Sequence, residues 1–373
     1  HHTKRSPKNG FRCESVSGFA CRCPCLEPSW QPGYNLLAMR IEELGEFGLI
    51  ELINTMIVQQ RAGPDNGAHF SFQVSVDTGD DAAAWKTGVA TELLTTDTVV
   101  EGVHFTLRTT PWRDLGWKCL ASNISDIAAM GGLPLYALVT IGLSPQARGE
   151  EGEDLYGGML DIGNQYGVAI VGGDVVSSPV AFVTVGLTGV HPGQPMLRSS
   201  ARVGDQVVVT GYLGSSGGGL RLMIDQVEAS VEAAEYLKRC HRRPQPAIAE
   251  GRTLAGSGVT AAMDISDGLA GDLAKLCRSS GVSARLYANH VPVHPLLRQT
   301  FPDGYLDLAL NGGEDYLLLF TANAETVRNV MPSLPEGASV VGEIEPGEAG
   351  RVTVVDSSGV ENILGSSGWD HFG

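Results

Sequence analysis

Residues 95–105 read Thr95-Thr96-Asp97-Thr98-Val99-Val100-Glu101-Gly102-Val103-His104-Phe105, and they bring hydroxyls, two carboxylates and an imidazole together in one short stretch. The apolar pairs Leu93-Leu94 and Val99-Val100 predict a buried strand that carries Thr-Thr-Asp near its end. A polar or charged group that is buried without a partner is costly. The stretch therefore predicts a strand with a cation site at its end, and a divalent cation is the first candidate.

The composition of the chain indicates a globular α/β protein with more than one domain. It has 373 residues, of which 43% are hydrophobic and 48 are glycine, and this length exceeds the ~150 residues typical of one domain. No apolar run approaches the roughly 18 residues of a membrane span. The net charge of −16, with few and scattered basic residues, argues against a nucleic-acid surface. We therefore expect neither membrane nor nucleic acid as a partner, and we expect cations wherever this acidic chain handles phosphate.

Residues 1–38 differ in composition from the rest of the chain. They begin with His1-His2 and hold four of the seven cysteines, and Met39 then opens an amphipathic segment. We expect residues 1–38 to be an extension, disordered or non-native, outside the fold. Its Cys-x-Cys-x-Cys run could bind a soft metal, although structural zinc sites usually space paired cysteines by about two to four residues. The other three cysteines stand singly, which indicates buried thiols and favours a reducing cytoplasm.

Further carboxylates follow predicted strands or glycine pairs along the chain. A helix is predicted over Trp112–Met130, ended by Gly131-Gly132, and it carries Asp126 among apolar neighbours, where aspartate is unfavourable without a partner. A strand over Val168–Val171 runs into Gly172-Gly173-Asp174, so we expect this aspartate at the carboxyl end of the strand, where open α/β sheets bind ligands. The full set is Asp80, Asp81, Asp97, Asp126, Asp174, Asp264, Asp267, Glu314 and Asp315.

Several of these acidic groups would repel one another if the fold brought them together. Like charges raise the pKa values of carboxylates and destabilise the fold unless cations lie between them. Oxygen ligands without a His or Cys cluster select Mg²⁺, Ca²⁺ or Mn²⁺ over zinc, and the loop pattern of an EF-hand Ca²⁺ site is absent from the sequence. Mg²⁺ that holds a polyphosphate is therefore the favoured interpretation.

Three local features also have a simpler structural interpretation. The Gly-Asp-Asp at residues 79–81 is typical of a capped turn, and Ser266 and Asp267 are typical of helix N-caps. The glycine-rich turn of residues 211–220 either holds phosphate on its backbone N–H groups or is a plain flexible turn, since it matches neither the Rossmann nor the P-loop spacing. These alternatives stay open at the level of sequence.

Eight short motifs occur in the order seen in the thiamine-monophosphate kinase family, which the chain resembles over roughly residues 45–373. The motifs are Gly79-Asp80-Asp81-Ala82-Ala83, residues 95–105, Ser125-Asp126-Ile127-Ala128-Ala129-Met130-Gly131, Gly172-Gly173-Asp174, Arg198-Ser199-Ser200-Ala201 with Gly204-Asp205, Asp264-Ile265-Ser266-Asp267-Gly268-Leu269, Gly312-Gly313-Glu314-Asp315-Tyr316 and Trp369-Asp370-His371-Phe372. This family belongs to the superfamily of aminoimidazole ribonucleotide synthetase-like ATP enzymes.

The resemblance implies a two-domain α/β (α+β) fold of the aminoimidazole ribonucleotide synthetase type. The segment His191-Pro192-Gly193-Gln194-Pro195 is the best candidate for the linker. We therefore expect an N-terminal sheet domain with helices over residues 39–192, which would bind ATP and Mg²⁺ and form a homodimer. A C-terminal α/β domain would follow over residues 193–373.

The activity that the resemblance implies is Mg²⁺-dependent, in-line transfer of the γ-phosphoryl group of ATP to thiamine monophosphate, which gives thiamine diphosphate and ADP. ATP is then a co-substrate and several Mg²⁺ ions are the cofactors. Two alternatives remain. One is another ATP-dependent enzyme of the superfamily, such as an aminoimidazole ribonucleotide synthetase-like or hydrogenase-maturation-like enzyme. The other is a protein that binds Mg²⁺ and nucleotide without turnover.

The resemblance also implies roles for individual residues. The implied metal ligands, direct or through water, are Asp81, Thr95, Thr96, Asp97, Asp126, Asp174, Asp264 and Asp267, of which Asp97, Asp126, Asp174 and Asp264 form the catalytic set. Arg198, Ser266 and Tyr156 would contact ATP, and His104, Glu314 and Trp369 would contact thiamine monophosphate. The chain departs from the family at Val175-Val176, where a Thr-Thr pair is common.

Overall fold

The computed structural model describes residues 49, 52, 53, 55–57, 59, 74–76, 84, 85 and 91–364. The predicted extension of residues 1–38, the candidate metal ligand Asp81 and the candidate substrate-binding residue Trp369 lie outside them. None of the helices in this part of the chain is long and apolar enough to cross a membrane.

Strands and helices alternate along the described residues. The strands are β1 (Val74–Val76), β2 (Ala84–Trp85), β3 (Thr91–Val100), β4 (Leu133–Leu143), β5 (Ala169–Ser177), β6 (Phe182–His191), β7 (Gln206–Val209), β8 (Ala261–Asp264), β9 (Ser283–Tyr287), β10 (Leu318–Ala322), β11 (Ser339–Glu345), β12 (Val352–Val355) and β13 (Glu361–Leu364). From Thr91 onward the α-helices are α1 (Trp112–Ala129), α2 (Gly149–Tyr166), α3 (Ser215–Asp225), α4 (Val231–Arg242), α5 (Ile248–Gly256), α6 (Leu269–Ser280), α7 (Pro295–Thr300), α8 (Tyr305–Asn311) and α9 (Ala324–Val330).

The first large sheet has four strands in the order β3-β6-β4-β5, in which β4 and β5 pair in parallel and the other pairs are antiparallel. One face of this sheet is buried beneath α1 and α2. Alternate residues of β6, such as Val183, Val185 and Leu187, point into that core, as the period of a half-buried strand requires. α1 ends at Ala129 with Met130 as its C-cap, and Gly131, the next residue, has the left-handed φ of 73° that commonly follows a helix.

Glycines allow α1 and α2 to approach each other closely. A Cβ atom added to Gly116 of α1 would lie 1.8 Å from the carbonyl oxygen of Leu155, and one added to Gly158 of α2 would lie 1.8 Å from that of Arg113. Such distances are far below van der Waals contact, so the two helices pack backbone against backbone. This fixes the position of α1 against the sheet.

The second large sheet has seven strands in the order β13-β12-β9-β11-β7-β10-β8. β9 and β12 pair in parallel and the remaining neighbours pair antiparallel. Its central strands are buried on both faces, which explains apolar runs such as Val207-Val208-Val209. The fold class predicted from the sequence, a two-part α/β architecture, is therefore confirmed.

α1 belongs to the cores of both sheets. Its last residues Ala128 and Ala129 pack with Val208 and Phe320 of the second sheet. One turn earlier, the hydroxyl group of Ser125 donates a hydrogen bond of 2.9 Å to Asp264 at the end of β8. The carboxyl-terminal half of α1 therefore lies between the two sheets.

Two predicted strand ends were wrong. Thr95–Asp97 lie in the middle of β3, which continues to Val100, and Asp174 lies inside β5, which continues to Ser177. Gly172 and Gly173 do not end β5, because they pair with Leu138 and Val139 of β4 in register. A Cβ atom on Gly173 would lie 1.8 Å from the carbonyl oxygen of Val139, so this glycine permits close strand pairing rather than a turn.

Candidate active site

Three predicted metal ligands converge where β3, α1 and β8 meet. Asp97 of β3 and Asp126 of α1 interact electrostatically, and so do Asp126 and Asp264 of β8. The hydroxyl group of Thr95 donates a hydrogen bond of 2.5 Å to Asp126. Thr95 and Asp97 share the helix-covered face of β3 because residues two apart point the same way. We call Asp97, Asp126 and Asp264 the acid cluster.

Burial raises the pKa values of all three carboxylates in the acid cluster. The pKa of Asp264, which is 3% exposed, is raised to about 7 by burial and by the charges of Asp126 and Asp272. Burial and the charge of Asp126 raise the pKa of Asp97 to about 6. Burial also raises the pKa of Asp126, although the bond from Thr95 and the charge of Arg198 act in the opposite direction. Three such groups favour a bound cation.

The donor atoms of the acid cluster fit a hard divalent cation such as Mg²⁺. They are carboxylate oxygens with the hydroxyl oxygen of Thr95 beside them, and hard cations prefer oxygen ligands. Among residues 91–364 and the shorter described segments, no three or more His, Cys, Asp or Glu side chains lie together as a group that could hold a metal ion. The fit of the acid cluster to Mg²⁺ therefore rests on its oxygen donor atoms and on the raised pKa values of its three carboxylates.

The predicted ligands Thr96 and Asp174 lie on the opposite face of the first sheet. Asp174 is in register with Thr140, Thr184 and Thr98 across the four strands, so it shares the face of Thr96 and Thr98 rather than that of Asp97. β3 and β5 are the two outer strands, which separates Thr96 from Asp174 by roughly 14 Å at the usual strand spacing. Within one chain, the two side chains cannot bind the same ion.

The loop that carries Ser266 and Asp267 is held by a residue that the sequence analysis did not select. The carboxylate of Asp272 in α6 accepts hydrogen bonds of 2.9 Å from the backbone N–H groups of both residues. Lys275 donates a hydrogen bond of 2.9 Å to Asp272 and forms an ion pair with Asp267. The N-cap interpretation of Ser266 and Asp267 was wrong, because Gly268 is the N-cap of α6 and no side chain caps it. The sequence signal that could have identified Asp272 is its position in the first turn of the helix that follows this loop.

The candidate substrate-binding residues His104 and Glu314 lie near each other. A charge on His104 lowers the pKa of Glu314. The Nδ1 atom of His104 accepts a hydrogen bond of 3.0 Å from the backbone N–H group of Val100, so the proton of the neutral ring is on Nε2. Glu314 follows two glycines and has a φ of 65°, and its N–H group donates to the carbonyl oxygen of Ser266. The loops of Glu314 and Ser266 are therefore joined.

The glycine-rich turn before α3 already holds an anion of the chain itself. The carboxylate of Asp315 accepts hydrogen bonds from the backbone N–H groups of Gly214, at 2.6 Å, and Ser216, at 3.1 Å. Burial raises the pKa of Asp315 to about 7 despite these bonds. Neither interpretation of this turn was right, because its N–H groups bind a protein carboxylate instead of phosphate or water.

The remaining candidates for ATP binding differ in exposure. Arg198 is exposed, and its charge lowers the pKa values of Asp126 and Asp264, so it lies at the edge of the acid cluster. Tyr156 of α2 is 3% exposed and packs in the core that α1 and α2 form with the first sheet, where burial raises its pKa. Arg198 can thus contact a ligand directly, whereas Tyr156 offers little surface.

Comparison with known proteins covers most of the chain. The family model for the AIR synthase related protein, N-terminal domain, matches residues 79–191, and that for the C-terminal domain matches residues 202–355. The thiamine-monophosphate kinase of Bacillus subtilis is 36% identical over 309 residues, which cover 80% of this chain and 94% of that protein. The enzyme of the same name from Aquifex aeolicus is 34% identical over 337 residues, which cover 90% of this chain and 100% of that protein.

Comparison with solved structures also relates this chain to thiamine-monophosphate kinases. The structure of AaThiL complexed with AMPPCP and TMP superposes with a TM-score of 0.69 at 32% identity, covering 90% of this chain and 99% of that one. The crystal structure of thiamine-monophosphate kinase from Stenotrophomonas maltophilia gives 0.70 at 32% identity, covering 80% and 94%. The hydrogenase maturation protein HypE in complex with ATP shares the fold at 18% identity and a TM-score of 0.70, with coverage of 90% and 98%. Because the sequence relatives exceed 30% identity and are covered almost completely, this chain belongs to the thiamine-monophosphate kinase family.

Proposed function

We propose that the chain is a Mg²⁺-dependent thiamine-monophosphate kinase, which transfers the γ-phosphoryl group of ATP to thiamine monophosphate to give thiamine diphosphate and ADP. The observation that carries the proposal is that one helix, α1, connects the acid cluster to the region of His104 and Glu314. The complex of the relative AaThiL with AMPPCP and TMP supports the same pair of substrates.

The acid cluster and Thr95 would hold Mg²⁺, which when bound supplies positive charge to the phosphate groups of ATP. The other residues position the reactants. Arg198 would bind phosphate oxygens at the exposed edge of the cluster, and the Nε2–H group of His104 would donate a hydrogen bond to the acceptor phosphate. That phosphate is already anionic near neutral pH, so the reaction needs positioning and charge neutralisation more than a general base.

At the other end of the substrate, Glu314 would accept a hydrogen bond from the amino group of the aminopyrimidine ring. The pKa of Glu314 supports this role: burial raises it, but the charge and the hydrogen bond of Lys118 act in the opposite direction, and the pKa lies below its ordinary value. The side chain is therefore ionised at neutral pH and acts as an acceptor. Trp369 remains the candidate for stacking on a ring of the substrate.

We also propose a homodimer formed through the first sheet. Leu94 is 79% exposed and Leu138 is 53% exposed on the face that carries Thr96 and Asp174. Exposed large apolar side chains on one face of a sheet are typical of interaction sites. A second copy that joined the sheets edge to edge would bring Asp174 of one chain towards Thr96 of the other, which one chain does not do. Sedimentation of the wild type and of Leu138→Glu tests this, because a monomeric wild type would contradict it.

The decisive assay of the function is incubation with ATP, Mg²⁺ and thiamine monophosphate, followed by chromatography for thiamine diphosphate and ADP. Equal amounts of the two products support the proposal. ATP consumption only with aminoimidazole-type acceptors would favour another superfamily enzyme. Saturable nucleotide binding without any product would favour the alternative without turnover. Location in the cytoplasm stays a prediction.

A further inference from the structure

We propose that Lys118 is a positioning residue that holds the carboxylate of Glu314 in place for the aminopyrimidine group of the substrate. The inference rests on the proposed function and assigns a role to a residue outside the motifs quoted above. Through this contact, Lys118 makes Glu314 selective for a ring amino group.

Lys118 is a buried lysine that links the two halves of the fold. It lies in α1, is 5% exposed, and donates a hydrogen bond of 2.8 Å from Nζ to Oε2 of Glu314, 196 residues away in the chain. A buried ammonium group requires a partner, and Glu314 is its ion-pair partner among the described residues. Nζ also lies 3.2 Å from Nε2 of His241 in α4.

The arrangement uses one oxygen of Glu314 and leaves the other for a ligand. Lys118 and His241 both approach Oε2, at 2.8 and 3.4 Å. Oε1 accepts no hydrogen bond from any residue that the structure describes, and the side chain of Glu314 remains 30% exposed. A carboxylate that is fixed through one oxygen and open at the other presents a single acceptor in a defined direction.

Three basic groups face Glu314, namely Lys118 from α1, His241 from α4 and His104 from the turn after β3. Its carboxylate also interacts electrostatically with Cys119, Asp315 and Tyr316. His241 is buried, and burial together with the charge of Lys118 lowers its pKa to about 4, so it is neutral at pH 7. Nδ1 of His241 lies 3.2 Å from the hydroxyl group of Ser216, which fixes its ring. Lys118 is consequently the group that supplies a permanent positive charge to Glu314.

The position of Lys118 on α1 also relates the two ends of the substrate. Lys118 and Asp126 are eight residues apart on one side of the helix, which corresponds to about 12 Å along its axis. Asp126 belongs to the acid cluster, where the phosphate groups would bind. Lys118 holds the carboxylate of Glu314, which would bind the aminopyrimidine group. α1 therefore sets the distance between the two binding regions, because no loop intervenes between them.

The test compares the full-length wild type with Lys118→Met, and with Lys238→Met as a control for removal of a helical lysine that itself makes no proposed contact. We expect Lys118→Met to raise the KM for thiamine monophosphate by about tenfold or more, because a hydrogen bond to a charged group is lost. The KM for ATP should change by less than about twofold. A purely structural role would lower kcat or stability without this difference between the two KM values.

The pH profile gives a second readout. Without Lys118, desolvation raises the pKa of Glu314 without the opposing charge of the lysine, so a larger share of this carboxyl group is protonated and cannot accept the hydrogen bond. The KM of Lys118→Met for thiamine monophosphate should therefore fall as the pH rises from 6 to about 9, relative to the wild type. Glu314→Gln should have a raised KM without that pH dependence.

A double variant decides whether Lys118 acts through Glu314. If it does, Lys118→Met combined with Glu314→Gln binds thiamine monophosphate no more weakly than Glu314→Gln alone, as measured by calorimetry with a nonhydrolysable ATP analogue. Multiplicative losses would overturn the proposal. An active wild type with an unchanged KM in Lys118→Met would overturn it too, while the proposed function stood. A wild type that forms no thiamine diphosphate would overturn the proposed function, and this assignment with it. Should Lys118→Met fail to fold, Lys118→Gln serves in the same calorimetric comparison.

Discussion

Replacement of Asp264 by asparagine is predicted to stabilise the metal-free protein while it removes activity. Asp264 is almost fully buried and accepts one hydrogen bond, from Ser125. Its pKa rises from 3.8 to about 7, through burial and the charges of Asp126 and Asp272. At about 1.4 kcal/mol per pH unit, this difference destabilises the fold by about 4 kcal/mol above pH 7.

Asparagine removes the charge but recovers only part of that free energy. Its side-chain oxygen can still accept the hydrogen bond from Ser125. Its new N–H₂ group needs hydrogen-bond acceptors, and their absence would cost about 1–2 kcal/mol. We therefore expect a net stabilisation of about 2 kcal/mol, or about 3 °C in Tm for a single cooperative unit of roughly 330 residues. The assay is thermal unfolding with a chelator at pH 8.5 and pH 5, with the exposed Asp303→Asn as the control.

The sign of the pH dependence follows from the raised pKa. The folded state binds the proton of Asp264 more tightly than the unfolded state, so the penalty is complete above about pH 7 and disappears as the pH falls towards about 4. The advantage of the variant should shrink over that range. Added Mg²⁺ should stabilise the wild type at pH 8.5 more than the variant. A variant that is less stable than the wild type at pH 8.5, or equally affected at both pH values, would refute the reasoning.

Three further changes give separate tests. Asp97→Asn should lower turnover by about a thousandfold, because a charge near the phosphate groups is lost, and it should not lower the Tm, because burial already raises the pKa of Asp97 to about 6; retained thiamine diphosphate formation would remove Asp97 from the metal ligands. Gly158→Ala should lower the free energy of unfolding in urea by about 3 kcal/mol, because its Cβ would lie 1.8 Å from the carbonyl oxygen of Arg113, whereas Gly256→Ala, with open space around it, should not. Asp272→Ala should raise the KM for ATP about tenfold by releasing two backbone N–H groups of the neighbouring loop; an unchanged KM would show that the loop keeps its conformation without this anchor.

The sequence was a good guide to the elements of the first half of the fold. The helix predicted over Trp112–Met130 is α1, at Trp112–Ala129, with Met130 as its C-cap and the predicted glycine pair directly after it. This prediction succeeded because helix capping and apolar periodicity are local properties. The strand ends at Thr95–Asp97 and Asp174 failed, because both strands continue through pairing with neighbours that lie far away in the chain.

The site was less accessible to sequence reasoning. Lys118 looks like an ordinary helix residue, and its role depends on Glu314, which the fold brings to it from 196 residues away. Thr95 and Thr96 lie on opposite faces of β3 because the side chains of a strand alternate, but the sequence does not indicate which of these two faces α1 covers. Asp315 was read as one more acid in a cluster, yet its carboxylate lies against the start of α3.

Because α1 packs in the cores of both sheets, it affects how the protein unfolds and whether the chain can be cut into two stable fragments. Since Ala128 and Ala129 pack with Val208 and Phe320, a fragment ending at the predicted linker near residue 192 would expose an apolar surface, and so would the complementary fragment. The two halves should therefore unfold in a single cooperative transition rather than as independent domains. For protein engineering, the linker is then a suitable place for an insertion but a poor place to cut the chain in two.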